Sequence, residues 1–176
     1  MKLVAIFRRI YEKILLQGNF ERRVRYLRKQ GIRIGKNCVI NTLIFSTEPY
    51  LVEMGDQVTI GCGTKFITHE GSVKCLGAEL DGYLYGKIII GNNVFIGINC
   101  IVLPNTIIGD NCIIGAGSIV RGQFPENSVI LGNPAKVVLN INIQKMIYRN
   151  SPGFVKMNNP SIAEKDRLVK KHFGIE

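Results

Sequence analysis

A six-residue repeat dominates the middle of the chain. From Ile90 the sequence runs IGNNVF, IGINCI, VLPNTI, IGDNCI, IGAGSI, so an aliphatic residue recurs at every sixth position as far as Val120. Four of these six aliphatic residues are followed by Gly, and the fifth position of each repeat is small or β-branched: Val94, Cys100, Thr106, Cys112 and Ser118. This period predicts short strands joined by tight turns, with the aliphatic and fifth-position side chains inside. Three repeats would form one triangular coil of 18 residues, and stacked coils would form a β-helix.

The same register appears upstream, where IGKNCV begins at Ile34, MGDQVT at Met54 and IGCGTK at Ile60. Between Ile40 and Met54 the spacing slips by two residues, which predicts a bulge or short loop in that coil. From Thr68 to Lys87 the repeat fails, and we expect a projecting loop that is too irregular for strands. Long loops on compact repeats are often functional. The repeated Gly and Asn residues are expected at corners whose backbone angles other residues resist.

Both ends of the chain look helical. In residues 1–31, apolar residues at a helical period (Leu3, Ile6, Phe7, Ile10, Ile14 and Leu15) precede a basic helix predicted from Phe20 to Lys29 and ended by Gly31. We place the β-helix at 32–138, with its loop at 68–87, and a helical tail at 139–176. In that tail, Ser161 and Glu164 have the spacing of a capping box at the start of a last helix.

Charge is distributed unevenly. Residues 1–33 carry a net charge of +8, residues 34–135 carry −3 and residues 136–176 carry +5. The acidic middle argues against a nucleic-acid groove along the β-helix, whereas the basic ends suit an anionic lipid or the phosphates of a cofactor. The N-terminal helix either lies on a membrane surface or packs on the end of the β-helix, and liposome flotation with and without residues 1–30 separates these two roles. Without a long apolar run or a signal-peptide pattern, the protein is expected to be cytoplasmic.

Cysteine and histidine usage narrows the chemistry. Five cysteines without a CxxC pair argue against a disulfide scaffold and a zinc site, and Cys38, Cys100 and Cys112 fall at interior positions. Neither Cys62 nor Cys75 has the surroundings of a nucleophile. Of the two histidines, His172 lies in the basic tail and His69 stands where the repeat breaks into the loop. His69 is therefore the candidate general base.

Three segments carry a resemblance to a known family: EPYLVEMGDQVTIGCGTKFITHEG, IIIGNNVFIGINCIVLPNTIIGDNCIIGAGSIV and VILGNPAKVV. The chain resembles the hexapeptide-repeat acyltransferases, in the branch that contains maltose, galactoside and capsular-polysaccharide O-acetyltransferases. The resemblance implies an all-β, left-handed parallel β-helix and a homotrimer with active sites between subunits. It also implies transfer of an acetyl group from acetyl-CoA to a hydroxyl of a sugar or surface-polysaccharide precursor, with no metal.

The resemblance also implies roles for particular residues. His69 would take the proton of the acceptor, and an acidic residue would orient the imidazole. The candidates for this acidic residue are Glu70, Glu79 and Asp81, and the sequence does not decide among them. Of these, we assign Glu70 to catalysis and Asp81 to binding of the acceptor. Asn41 matches a position that contacts the acceptor sugar. The remaining positions would hold the cofactor: Gly97, Ile98 and Ala116 through the backbone, and Arg121 and Lys136 through charge. A backbone N–H near Gly97 and Ile98 would stabilise the oxyanion.

Two other functions stay open. The first is N-acetylation of an amino sugar or another small amine, for which relatives usually carry an additional nucleotide-binding domain. The second is a non-catalytic β-helix that serves as a binding scaffold. A zinc-dependent β-helix enzyme would need three histidine ligands, whereas the chain has two histidines in all.

Overall fold

The computed structural model describes residues 6–7, 10–12, 14 and 19–175, which form two compact units, residues 1–141 and 142–176. The first unit contains helix α1 (Phe20–Lys29) and a series of short strands. The strands are β1 Arg33–Ile34, β2 Val39–Ile40, β3 Ile44–Phe45, β4 Val52–Met54, β5 Thr59–Ile60, β6 Lys65–Phe66, β7 His69–Glu70, β8 Leu84–Tyr85, β9 Ile88–Ile90, β10 Phe95–Ile96, β11 Ile101–Val102, β12 Thr106–Ile108, β13 Ile113–Ile114, β14 Ile119–Val120, β15 Gln123–Phe124, β16 Ser128–Gly132 and β17 Ala135–Asn140.

The strands form three parallel faces. Face A is β1-β4-β9-β12-β15, face B is β2-β5-β10-β13-β16 and face C is β3-β6-β11-β14. Each strand pairs in parallel with the strand one coil away, so Ile90 lies beside Ile108 and Ile96 beside Ile114, as the 18-residue period predicts. The antiparallel strand β17 closes the edge of face B. The faces are therefore those of a parallel β-helix.

Three sets of turns connect the faces. The A–B turns are residues 35–38, 55–58, 91–94, 109–112 and 125–127; the B–C turns are 41–43, 61–64, 97–100 and 115–118; and the C–A turns are 46–51, 67–87, 103–105 and 121–122. Because the coils stack, the members of each set lie one above another along one edge of the β-helix.

The interior is filled as the repeat predicts. The six aliphatic residues from Ile90 to Val120 are buried, as are the fifth-position residues Val94, Cys100, Thr106, Cys112 and Ser118. Burial raises the pKa of the thiols of Cys38, Cys100 and Cys112, which keeps them protonated and supports their role as small core residues.

The glycine that follows an inward aliphatic residue serves a different purpose from the one expected. Gly109 does not adopt a left-handed backbone, but a Cβ placed on it would lie 2.5 Å from the backbone N of Glu126 in the next coil. The left-handed positions are held mainly by asparagines instead, for example Asn93 (φ 54°) and Asn111 (φ 56°). At that position glycine is therefore needed for close contact between coils. The positive φ at the corner is supplied by asparagine and, at Gly63 and Gly117, by glycine as expected.

The register slip of the first coil is divided between two turns. From Ile40 to Phe45 the inward positions are five residues apart, one fewer than the repeat, and from Phe45 to Met54 they are nine apart, three more than the repeat. The additional residues form a 3-10 helix, Pro49–Leu51, in the first C–A turn. The predicted short loop therefore lies on the same edge as the long loop at 67–87.

The long loop is more regular than expected. Strands β7 and β8 pair antiparallel within it, with His69 opposite Tyr85, and two 3-10 helices, Ser72–Cys75 and Ala78–Leu80, connect them. The expectation of a loop without strands is wrong. Strands of two residues are too short to produce a recognisable periodic pattern in the sequence. Gly86 returns the chain to the coil by donating its N–H to the Thr68 carbonyl at 2.9 Å.

The predicted helices are found at both ends. Helix α1 has the predicted bounds, and it buries Val24 and Leu27 in the core of the first unit. Much of the helix expected near residues 3–15 lies outside the described residues. The second unit contains α2 (Ile141–Arg149) and α3 (Ile162–Phe173), although Ile141 itself is the last residue of the first unit. The Ser161 side chain caps α3 by accepting a hydrogen bond from the N–H of Glu164. No helix in the described part of the chain is long and apolar enough to cross a membrane.

The close contact between coils makes a stability prediction. Gly109→Ala should lower the free energy of unfolding by about 1–3 kcal/mol, because the new Cβ must displace the backbone of Glu126. Gly82→Ala is the matched control, since a Cβ on Gly82 meets nothing within 4 Å. Urea unfolding of the two variants measures the difference, and equal stability would refute the close-contact role.

Candidate active site

His69 stands at the C–A edge, where β7 leaves the coil. Its Nδ1 lies 2.8 Å from Oε2 of Glu48, and the His69 side chain is 31% exposed while that of Glu48 is 14% exposed. A carboxylate only accepts hydrogen bonds, so Nδ1 must carry the proton and donate it to Glu48. In the neutral ring Nε2 then holds the free lone pair, and this is the state a general base needs.

Three hydrogen bonds hold the Glu48 carboxylate. The Thr47 hydroxyl donates to Oε1 at 2.5 Å, and the Thr68 hydroxyl donates to Oε2 at 2.9 Å beside His69. Chiefly through the bond from Thr47, and then through those from His69 and Thr68, they lower the pKa of Glu48 to about 2 against the opposing effect of burial. Because this pKa lies below the usual 4.5, the ionised carboxylate stabilises the fold above pH 4.5, and the contribution is lost as pH falls toward about 2.

The acidic partner of His69 is thus not one of the three residues considered from the sequence. Glu70 forms an ion pair with Arg121 instead, and the structure gives Glu79 and Asp81 no contact with His69. Sequence reasoning missed Glu48 because the contact spans 21 residues and crosses the register slip. The register slip was the one feature of the sequence that could have pointed to Glu48, because the inserted residues place Glu48 beside His69 at the C–A edge.

Aromatic rings surround the imidazole on the loop side. The ring centroid of His69 is 5.7 Å from that of Tyr83, edge to face, and 5.9 Å from that of Tyr85. Lys74 donates to the Tyr83 hydroxyl at 3.0 Å. These contacts, with the Glu70–Arg121 ion pair from β7 to a later coil, fix the direction in which β7 presents the His69 ring.

The B–C edge presents two backbone N–H groups to solvent. The carbonyl of Gly97 accepts from the buried Thr64 hydroxyl at 2.8 Å, and one coil later the carbonyl of Gly115 accepts from Ser118 at 2.6 Å. Carbonyl and N–H of a trans peptide point in opposite directions, so the N–H groups of Ile98 and Ala116 point away from these partners. Neither makes a hydrogen bond within the described chain. The N–H of Gly97, by contrast, is bonded to Ile114, so Ile98 is the free donor of that pair.

A groove adjoins these donors. It is lined by Asn41, Gly61, Cys62, Gly63, Ile98 and Glu12, together with the intervening residues 42–44, and we call it the Asn41 groove. Lys136 lies toward the end of the same edge, on β17 opposite Leu131, which packs over Gly115. The acceptor and cofactor positions inferred from the sequence, Asn41, Gly97, Ile98, Ala116 and Lys136, therefore share one side of the molecule.

The base and these positions lie on different edges of one chain. His69, Glu70 and Arg121 belong to the C–A turns, whereas Asn41, Ile98 and Ala116 belong to the B–C turns, with face C between them. Strands rise about 3.3 Å per residue, so the two sets are on the order of 10 Å or more apart. Asp81 lies exposed in the loop at the end of a 3-10 helix. One chain therefore does not bring all the predicted site residues together.

Metal-ligating side chains do not cluster in the described part of the chain. In residues 6–7, 10–12, 14 and 19–175, no three His, Cys, Asp or Glu side chains are grouped so that they could hold a metal ion. Cys62 and Cys75 are exposed free thiols.

The sequence is similar to a family of bacterial transferases and to two characterised or named relatives. Residues 87–122 match the family described as bacterial transferase hexapeptide (six repeats). The chain is 42% identical to protein CapG of Staphylococcus aureus over 139 residues, which cover 75% of this chain and 80% of that protein. It is 38% identical to the galactoside O-acetyltransferase of Escherichia coli (strain K12), over 64% of this chain and 55% of the relative.

A solved structure extends the similarity to the fold. A galactoside acetyltransferase in complex with coenzyme A superposes with a TM-score of 0.54 and 30% sequence identity, over 75% of this chain and 62% of that one. The chain thus spans little more than half the length of these galactoside acetyltransferases, while it spans most of CapG.

The His69–Glu48 contact can be tested without substrate. Glu48→Ala should move the neutral His69 ring from the Nδ1–H tautomer toward the Nε2–H form that free imidazole prefers, because the acceptor for Nδ1–H is removed. Nitrogen NMR at about pH 9, where histidine is neutral, reports the tautomer. Glu79→Ala is the control and should leave the tautomer unchanged. A wild-type ring already in the Nε2–H form would contradict the assignment.

Proposed function

Because the chain belongs to the bacterial hexapeptide-repeat transferase family, we propose that it moves an acetyl group from acetyl-CoA to a hydroxyl of a sugar or surface-polysaccharide precursor. The observation that carries this proposal is the His69–Glu48 pair, which leaves a lone pair on Nε2 at the edge of a rigid scaffold. The galactoside O-acetyltransferase and the putative lipopolysaccharide O-acetyl transferase among the relatives support a sugar hydroxyl as the acceptor.

The reaction follows from these groups. Nε2 of His69 accepts the proton of the acceptor hydroxyl while Glu48 stabilises the imidazolium that forms. The freed oxygen attacks the thioester carbonyl, and the Ile98 N–H is the candidate donor to the developing oxyanion. Collapse breaks the C–S bond, the leaving thiolate takes the proton back from His69, and the acetyl ester and coenzyme A are the products.

The B–C edge has the features that a pantetheine arm requires. The amide groups of a pantetheine arm need hydrogen-bond partners along an extended path. The N–H groups of Ile98 and Ala116 offer such partners one coil apart, about 4.8 Å. Ala116 is small enough to let the arm approach the backbone. Lys136 is exposed beyond this edge and carries the charge suited to the nucleotide phosphates. Arg121 would approach the cofactor from the C–A edge and Asp81 the acceptor from the loop.

We propose that the complete site forms between subunits of a homotrimer. A threefold arrangement with parallel β-helices places the C–A edge of one subunit beside the B–C edge of the next, and it joins His69 to the neighbour's Ile98 and Ala116. The left-handed coil implied by the resemblance and the cytoplasmic location expected from the sequence belong to the same proposal.

For the N-terminal segment, packing on the β-helix and contact with a membrane surface were both predicted. Helix α1 packs on the first coil through Val24 and Leu27, which supports the packing role for this part. Ile6, Phe7 and Ile10 are more than half exposed and helical, so peripheral contact of residues 1–14 with an anionic membrane stays a prediction.

Replacement of His69 tests the reaction. His69→Ala should lower kcat by about 10²- to 10⁴-fold with little change in the KM for acetyl-CoA, because the general base is lost and the proposed cofactor contacts are not. The assay follows release of coenzyme A across a panel of methyl glycosides, amino sugars and serine. His172→Ala is the matched control, since His172 bonds the Pro152 carbonyl within the second unit, and it should retain wild-type activity.

Other outcomes separate the alternatives. Unchanged turnover in His69→Ala would overturn the mechanism, and turnover of amines alone would make the protein an N-acetyltransferase. A wild type that neither binds acetyl-CoA in calorimetry nor releases coenzyme A would be a binding scaffold instead.

Mixed oligomers test the shared site. His69→Ala and Ala116→Tyr are each expected to be inactive, the second because its ring blocks the cofactor path. Co-expressed in equal amounts, they should recover about one quarter of wild-type activity, since one site in four pairs an intact His69 with an intact neighbouring Ala116. No recovery, although the mixed trimers form, would mean that each site lies within one chain.

A further inference from the structure

Arg23 is an unusual residue for the position it occupies. It lies on helix α1, outside the repeat, yet its side chain is only 1% exposed. Its Nη1 donates to the Ile40 carbonyl at 2.6 Å and to Oδ1 of Asn41 at 2.9 Å. Arginine is rarely buried unless its donors are satisfied, so these bonds account for its presence under the first coil.

The bond from Arg23 determines which way the Asn41 amide faces. A guanidinium has donors and no acceptor, so the atom it contacts must be the amide oxygen. The NH₂ group of Asn41 therefore points the other way. It has no partner among the described residues, where every buried side-chain nitrogen and oxygen is bonded, so it is open to solvent in the Asn41 groove.

We propose that Arg23 is a positioning residue that locks Asn41 as a hydrogen-bond donor, so that the subsite beside Ile98 binds an acceptor group, such as a hydroxyl oxygen, and disfavours an ammonium. This inference rests on the proposed function. It adds a chemical reason for the choice between alcohol and amine, since a protonated amine has no lone pair to offer the Asn41 NH₂ group.

The neighbouring groups agree with this polarity. Ile98, whose N–H points away from the protein interior, lines the same groove, so a hydroxyl held by Asn41 would lie close to the proposed oxyanion site. Glu12 lines the groove as well and accepts a hydrogen bond from the Tyr26 hydroxyl at 3.2 Å. The groove thus presents a fixed donor and a carboxylate, and neighbouring hydroxyls of a sugar can bond to both. A carboxylate attracts cations, so the selection against an ammonium rests on the donors of Asn41 and Ile98 and not on Glu12.

Reversal of the polarity at Asn41 is the direct test. Asn41→Asp keeps the shape and the bond to Arg23 but replaces the NH₂ group with an acceptor oxygen. We expect the KM for the methyl glycoside that wild type acetylates fastest to rise roughly tenfold, as for loss of one hydrogen bond, while the KM for acetyl-CoA stays unchanged. An unchanged glycoside KM would overturn the donor assignment.

A double-mutant cycle tests the role of Arg23. Arg23→Lys retains the charge, but the lysine side chain ends one bond short of Nη1, the atom that donates to both Ile40 and Asn41. The Asn41 amide is therefore freed, and the glycoside KM should rise several-fold. In an Asn41→Ala background the same change should have less than about a twofold effect, because nothing remains to be oriented. An equal rise in both backgrounds would mean that Arg23 acts only by supporting the fold.

A substrate-free measurement keeps this inference separate from the proposed function. The side-chain amide signals of Asn41 in nitrogen NMR should shift in Arg23→Lys, and they should stay in place in Arg22→Lys, which changes an exposed neighbour on the same helix. If these signals do not respond, the orientation by Arg23 is refuted. If they respond but wild type acetylates no glycoside, the proposed function fails and the orientation stands.

Discussion

Close backbone contact between successive coils is the constraint on which this structure depends. At Gly109, and at Gly61 and Gly97, a side chain would meet the backbone of the next coil below 3 Å, so the A–B and B–C corners can stack this closely because these residues have no Cβ. The same stacking superimposes the aliphatic side chains in the interior and satisfies the backbone through parallel ladders. It also aligns each set of turns along an edge, so chemistry at one turn can be combined with chemistry one coil away.

The repeat predicted the three faces and the buried fifth-position residues, because both follow from periodicity alone. The role of glycine was predicted correctly for Gly63 and Gly117, which have the expected positive φ, as do Asn93 and Asn111. It was predicted incorrectly for the glycine after each inward aliphatic residue, which allows close contact between coils. The period locates a corner and does not say which of these two reasons selects the residue.

Glu48 and Arg23 show what the periodic pattern could not supply. Each contacts a site residue across a break in the repeat: Glu48 through the inserted residues before Met54, and Arg23 from a helix outside the coil. A side-chain contact of this kind depends on how an irregular segment folds back, and three-dimensional packing determines that. The length of the slip was readable from the sequence, whereas the direction in which Glu48 points was not.

The first C–A turn has a broader consequence. Its three additional residues directly follow Glu48, the carboxylate that orients His69, yet the faces on either side keep their pairing, with Ile40 beside Ile60 and Met54 beside Ile90. In a fold whose faces are connected along the chain only through such corners, a change in turn length alters local chemistry without propagating into the core. Insertions and deletions at the corners therefore allow new acceptor preferences to evolve. In an enzyme whose active site is built from residues of a packed core, the same changes in length would disturb the packing.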